Sequence, residues 1–126
     1  MHWLALGSAG LVALAIIAIG TLYLANPRAA TRSFGLPLPE EGANVAWWLR
    51  LKGVRDVAAG LGVLAFMAWG GARGVGLILL MDATIPVGDM LNVLAAKGST
   101  RLALGMHGLT AVVMILASIP LLMGVR

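Results

Sequence analysis

Apolar residues run almost unbroken through Leu4–Ala25, Ala43–Trp69, Gly74–Ala96 and Leu102–Gly124, and polar residues gather in the short intervals between them. Each stretch is long enough for a helix to cross a hydrocarbon core of ~30 Å, which takes about 20 residues. A membrane barrel would instead show segments of ~10 residues with strict alternation. The pattern predicts an all-α integral membrane bundle of four transmembrane helices, at about 4–25, 44–69, 74–96 and 101–124, forming one domain over 1–126.

The breaks between stretches carry helix-stopping chemistry. Asn26-Pro27-Arg28 ends the first helix, because proline lacks the N–H and turns the preceding residue away from helical backbone. The interval to Asn44, with Pro37, Pro39, Glu40 and Glu41, reads as the one substantial loop. Gly70-Gly71 punctuates the chain before Arg73, and Lys97-Gly98-Ser99-Thr100-Arg101 forms a short polar turn. Connections this short make the second, third and fourth helices antiparallel neighbours. The first stretch has no basic segment ahead of it and exceeds the ~7–15 apolar residues of a signal peptide, so it reads as a membrane helix.

Composition agrees with the pattern. Of 126 residues 60% are hydrophobic and 11% charged, against about 25% charged in soluble domains. The net charge of +4 comes from basic residues at helix ends or inside apolar stretches, without the basic run interleaved with aromatics that nucleic-acid binding requires. Cysteine is absent, which removes thiolate chemistry and disulfides. Two histidines make a poor ligand supply, so neither a metal nor another cofactor is expected. Arg28, Arg32, Lys97 and Arg101 fall on one face, Arg73 and Arg126 on the other, which favours both termini outside the cytoplasm of a bacterial inner membrane.

The charges inside the apolar stretches then change the picture. The second carries Arg50, Lys52, Arg55 and Asp56, the third Asp82 and Asp89, and the fourth His107. Arg55 and Asp56 lie roughly 15 Å into their helix, too deep to reach the headgroups. A charge at that depth costs about 2.5–3.5 kcal/mol and requires a partner. Lys52 and Asp56 pair at i, i+4 along one face, whereas Arg50 and Lys52, nearer the end, read as interfacial anchors. Asp82, Asp89 and Asn92 share a face of the third helix, and Pro86 produces a kink beside Asp82. His107 and Thr110 share a face of the fourth. Counted from the Lys97 turn, Arg55, Asp56, Asp89 and His107 fall in one layer, with Asp82 farther across.

The strings Lys52-Gly53-Val54-Arg55-Asp56, Ile85-Pro86-Val87-Gly88-Asp89 and His107-Gly108-Leu109-Thr110-Ala111 resemble a small membrane family of bacteria and fungi classed as a domain of unknown function and distantly like the DoxX-type proteins. The resemblance runs from about Trp48 to Ala117 and implies a four-helix membrane fold without an assigned activity.

The favoured function is the binding of a small lipid-soluble molecule in an intramembrane polar pocket. If the pocket is catalytic, Asp89, His107, Asp56 and Arg55 would carry isomerase or cyclase chemistry by acid and base, with Asp82, Asn92, Thr110 and Trp48 contacting the ligand. A proton-coupled carrier using Asp82, assembled as a homo-oligomer, is the alternative, and a structural subunit of a membrane complex is a third reading. In a purely architectural account, the charges form an ion-pair network that fixes helix packing. The bilayer is the expected partner in each case.

Overall fold

The computed structural model describes residues 2–42 and 44–124. Ala43, where the second apolar stretch is expected to begin, and Arg126, counted in the orientation argument, lie outside the described residues. Regular structure among the described residues is all helical: α1 (His2–Ala25), α2 (Pro27–Thr31), α3 (Val45–Ala65), α4 (Gly71–Asp82), α5 (Thr84–Ala95), α6 (Thr100–Leu102) and α7 (Leu109–Leu122). A π-helical segment, Phe66–Gly70, joins α3 to α4, and another, Ala103–Gly108, joins α6 to α7. Three continuous runs among these residues are long and apolar enough to cross a membrane: Trp3–Ala25, Val45–Ala95 and Thr100–Leu122.

The middle run has 51 residues, and a straight helix of that length would extend about 75 Å, more than twice the hydrocarbon thickness. It does not stay straight. Gly71 adopts φ 66° and ψ 174°, a backbone shape that a side chain disfavours. Beyond it the chain folds back: the Phe66 ring lies over Gly74, Ile78 reaches Gly62, and Lys52 reaches Asp89. A second interruption at Ala83 separates α4 from α5. Pro86 has no N–H to donate to the Asp82 carbonyl four residues earlier, and the Thr84 hydroxyl bonds the Met81 carbonyl at 2.7 Å.

Small residues set how closely the helices approach. α1 buries Ala5, Ala9 and Ala13 at four-residue spacing, and Gly20 continues that side toward α3. A methyl group on Gly53 would lie 2.7 Å from the Gly20 carbonyl oxygen, and one on Gly60 would lie 2.7 Å from the Ala13 carbonyl oxygen. Backbones in this much contact gain dispersion energy that bulky side chains would forbid. The apolar core, built on Val63, Val75, Leu79, Met114 and Leu121 with the α1 alanines, occupies the half of the molecule nearer Gly71.

The interval after α1 departs from the expected loop. Pro27 does end α1, yet it also opens α2 at the position where proline is best tolerated, with the Asn26 side chain accepting from the Ala29 N–H at 3.2 Å. The chain then turns at Gly35, φ 101°, and the Gly35 carbonyl accepts from the Ser99 N–H at 2.7 Å. The loop is thereby fastened to the Lys97 turn at the end of the molecule opposite Gly71.

Candidate functional site

α3 delivers three charged side chains to the half of the molecule away from the apolar core. Lys52 forms an ion pair with Asp56 one turn later, and Asp56 also accepts from Arg55 Nη2 at 3.1 Å and Nε at 3.2 Å. Asp89, from α5, faces the same cations, 3.6 Å from Arg55 Nη2 and 3.7 Å from Lys52 Nζ. Two cations therefore balance two carboxylates. Asp56 is 4% exposed, and a polar group so buried needs partners that replace its lost hydration.

His107 enters from the π-helical segment, a departure from α-helix that is frequent at functional sites. Its Nε2 lies 2.8 Å from the Phe34 carbonyl oxygen. A carbonyl can only accept, so Nε2 carries the proton and Nδ1 is the nitrogen left with a lone pair in the neutral ring. The Phe34 ring lies against the imidazole at an interplanar angle of 59°, with centroids 4.6 Å apart, and meets Tyr23 edge-on at 6.5 Å. Lys52 Nζ sits 4.9 Å from the centre of the Tyr23 ring and 5.0 Å from that of Phe34, within the range of cation–π attraction.

These groups enclose a cavity of about 200 Å³. Ile16, Ile19 and Leu22 of α1, Ile85 and Pro86 of α5, and Met106 give it an apolar side. Lys52, Asp56, Asp89, His107, Thr110 and Tyr23 give it a polar one, and Phe34 covers it from the loop. The helix interruption at Ala83 helps to make the space. α4 packs closely along α7 and touches α1, whereas α5 turns to the π segment that carries His107.

Asp56, Asp89, His107 and Thr110, singled out from the sequence, thus line the cavity, and the others do not. Arg55 lies outside the wall, its side chain 46% exposed, clamping the two carboxylates from behind. Asn92 and Trp48 are exposed and away from the cavity, because α5 and α3 turn those positions outward. Asp82 also lies outside the lining, with its Oδ2 sealed and without a hydrogen-bond partner. His107 engages the Phe34 backbone rather than a carboxylate. Among the described residues no three acidic or histidine side chains are grouped to hold a metal ion.

Lys52, read from sequence as an interfacial anchor, also lines the cavity, where its ammonium lies against the Phe34 ring of the loop. Arg50 contacts the Leu24 carbonyl at 3.1 Å and the Trp47 ring. Tyr23 and Phe34 were not anticipated. Both carried a signal: Tyr23 is the sole tyrosine of the chain, in a helix otherwise almost free of polar groups, and Phe34 is one of two phenylalanines, in a polar loop.

The family described as Domain of unknown function (DUF4267) matches residues 13–121. The chain belongs to this family. The match begins within α1, so the family covers the loop with Phe34 and the Tyr23 end of α1, well before the Trp48 boundary drawn from the motifs. All of the cavity-lining residues lie inside the matched region. No curated protein and no solved structure matches the chain.

Proposed function

We propose that this protein binds a small lipid-soluble molecule in a cavity within the membrane. The observation that carries the reading is the cavity itself. Its apolar side suits a hydrocarbon body, and its opposite wall holds Lys52, Asp56, Asp89 and His107. A volume of about 200 Å³ suits a molecule somewhat larger than benzene, which an apolar cavity of ~150 Å³ accommodates. If the site is catalytic, Asp89 is the base and the chemistry is proton transfer. Asp56 is saturated by its two cations, and His107 holds the loop.

The accompanying topology is four crossings, by α1, Val45–Gly70, Gly71–Ala95 and Thr100–Leu122, as also implied by the distant DoxX-type resemblance. The tie between Gly35 and Ser99 supports it at one end, and the cleft shared by Trp3, Gly70, Arg73 and Gly124 supports it at the other. Arg28, Arg32, Lys97 and Arg101 cluster at the first end, which is consistent with that end in a bacterial cytoplasm and both termini outside.

The test is purification in lipid nanodiscs followed by solvent extraction and mass spectrometry. Wild-type protein should carry a small molecule that Ile85→Trp, which fills the cavity from α5, excludes while remaining folded. Identical extracts from both proteins would sink the reading. A second reading, a proton-coupled carrier, is favoured by Asp82, whose Oδ2 is sealed without a partner beside a helix interruption, a setting used for coupling ions in transporters. Proteoliposome uptake insensitive to both a pH gradient and Asp82→Asn would remove it.

A further inference from the structure

The cavity wall is unevenly supplied with hydrogen-bond donors, and this points to a ligand class. Tyr23 donates its hydroxyl to the Ala30 carbonyl at 3.4 Å, Ser33 to the same carbonyl at 3.1 Å, and Thr110 to the Met106 carbonyl at 2.7 Å. His107 gives its Nε2 proton to Phe34. Each of these wall donors is already committed to backbone. Asp56 accepts on both oxygens. Asp89 accepts no hydrogen bond among the described residues, since its cations stand at 3.6 and 3.7 Å, separations at which a side-chain contact is no longer a hydrogen bond. Its oxygens are not sealed either, because the buried unpartnered side-chain oxygen among these residues is that of Asp82. Asp89 therefore presents open acceptor capacity to a space whose walls, Lys52 apart, have no donor to offer it.

We infer that the cavity recognises a neutral, hydroxyl-bearing lipophile, a phenol or alcohol, whose O–H donates to Asp89 and whose oxygen accepts from Lys52. The inference rests on the ligand-cavity reading above and names the ligand's polar group. Lys52 has three donors and gives one to Asp56. The 3.7 Å between Lys52 Nζ and Asp89 Oδ2 lets one hydroxyl oxygen sit within bonding distance of both atoms. Charge argues for neutrality. The four ionic groups already balance, so a carboxylate ligand would add a third anion beside Asp56 and Asp89, and an ammonium would add a third cation beside Lys52 and Arg55. A ketone or ether satisfies Lys52 and leaves Asp89 without a donor.

The experiment is calorimetric titration of the full chain in nanodiscs with 4-ethylphenol, 4-ethylanisole and ethylbenzene, partition into empty nanodiscs being subtracted. The three probes share a ring and ethyl group and differ in the donor. Wild type should bind the phenol at least about tenfold more tightly than the anisole, the usual effect of a hydrogen bond to a charged group. Asp89→Asn, checked for folding by its elution profile and helical content, should bring that ratio down to about twofold. Equal affinities for all three probes would overturn the hydroxyl assignment while leaving a cavity for apolar molecules. Phenol and anisole binding equally, both above ethylbenzene, would overturn the role of Asp89 and leave Lys52 as the sole polar contact. No binding of any probe, by wild type and Ile85→Trp alike, would remove the ligand cavity itself.

Discussion

Replacing Lys52 with methionine tests whether charge balance holds the site together. The change keeps most of the side-chain volume and removes one of the two cations facing Asp56 and Asp89, so the cluster passes from neutral to one net negative charge. Breaking a buried ion pair costs ~3–5 kcal/mol when the remaining charge cannot rehydrate. Asp56, with a side chain 6% exposed, is in that position. Arg55 remains bonded to Asp56 and stands near Asp89, and Lys52 is itself partly exposed, so the expected loss is at the lower end, about 2–3 kcal/mol. The double variant Lys52→Met/Asp56→Leu removes one charge of each sign and leaves Arg55 opposite Asp89. Its stability should return to within about 1 kcal/mol of wild type, since buried pairs replaced by apolar groups are often neutral in cost. The assay is reversible unfolding in mixed micelles followed through tryptophan fluorescence, with the coupling taken from the double-mutant cycle. A single variant as stable as wild type, or a double variant no better than the single, would refute the charge-balance argument.

Four further outcomes follow from the packing and the fold. Gly53→Ala should cost about 1–3 kcal/mol in the same unfolding assay, because its methyl group would lie 2.7 Å from the Gly20 carbonyl oxygen. Gly7→Ala, with nothing within 4 Å, should be neutral or slightly stabilising. Phe34→Ala should loosen the roof, read as faster amide hydrogen exchange over residues 32–35 and at Ser99, with α1 and α7 unchanged. The absence of cysteine allows single-cysteine accessibility: Glu41→Cys and Ser99→Cys should label from one side of the membrane and Arg73→Cys, at an exposed position, from the other, and labelling of all three from one side would exclude four crossings.

The helical class was legible because lipid leaves the backbone few alternatives over apolar stretches of this length. Asp56 and Asp89 could be brought near each other by counting inward from the face that carries the Lys97 turn, since an antiparallel return fixes relative depth. The place of Lys52 in the cavity wall was not legible, because that count measures distance from a helix end, while the path of a loop across the end follows no periodicity. Pro27 shows a similar limit: the residue that stops α1 also starts α2, and only the Asn26 cap distinguishes an ending from a restart. At the Lys97 turn the left-handed position is taken by lysine, φ 53°, rather than by the neighbouring glycine. Gly98 is needed for another reason, since a methyl group there would lie 2.3 Å from the Gly35 carbonyl oxygen. A contact between two loops distant in sequence leaves no mark in local pattern.

That contact also governs where the chain tolerates changes in length. With Gly35 bonded to Ser99 and Phe34 seated on His107, one residue inserted between positions 32 and 35 would move a different side chain over the imidazole. The exposed stretch 36–42 beyond Gly35 is free of that register. Epitopes, reporter peptides and natural insertions belong there, and a deletion in the Lys97–Ser99 turn would disturb the roof of the cavity without touching any residue that lines it.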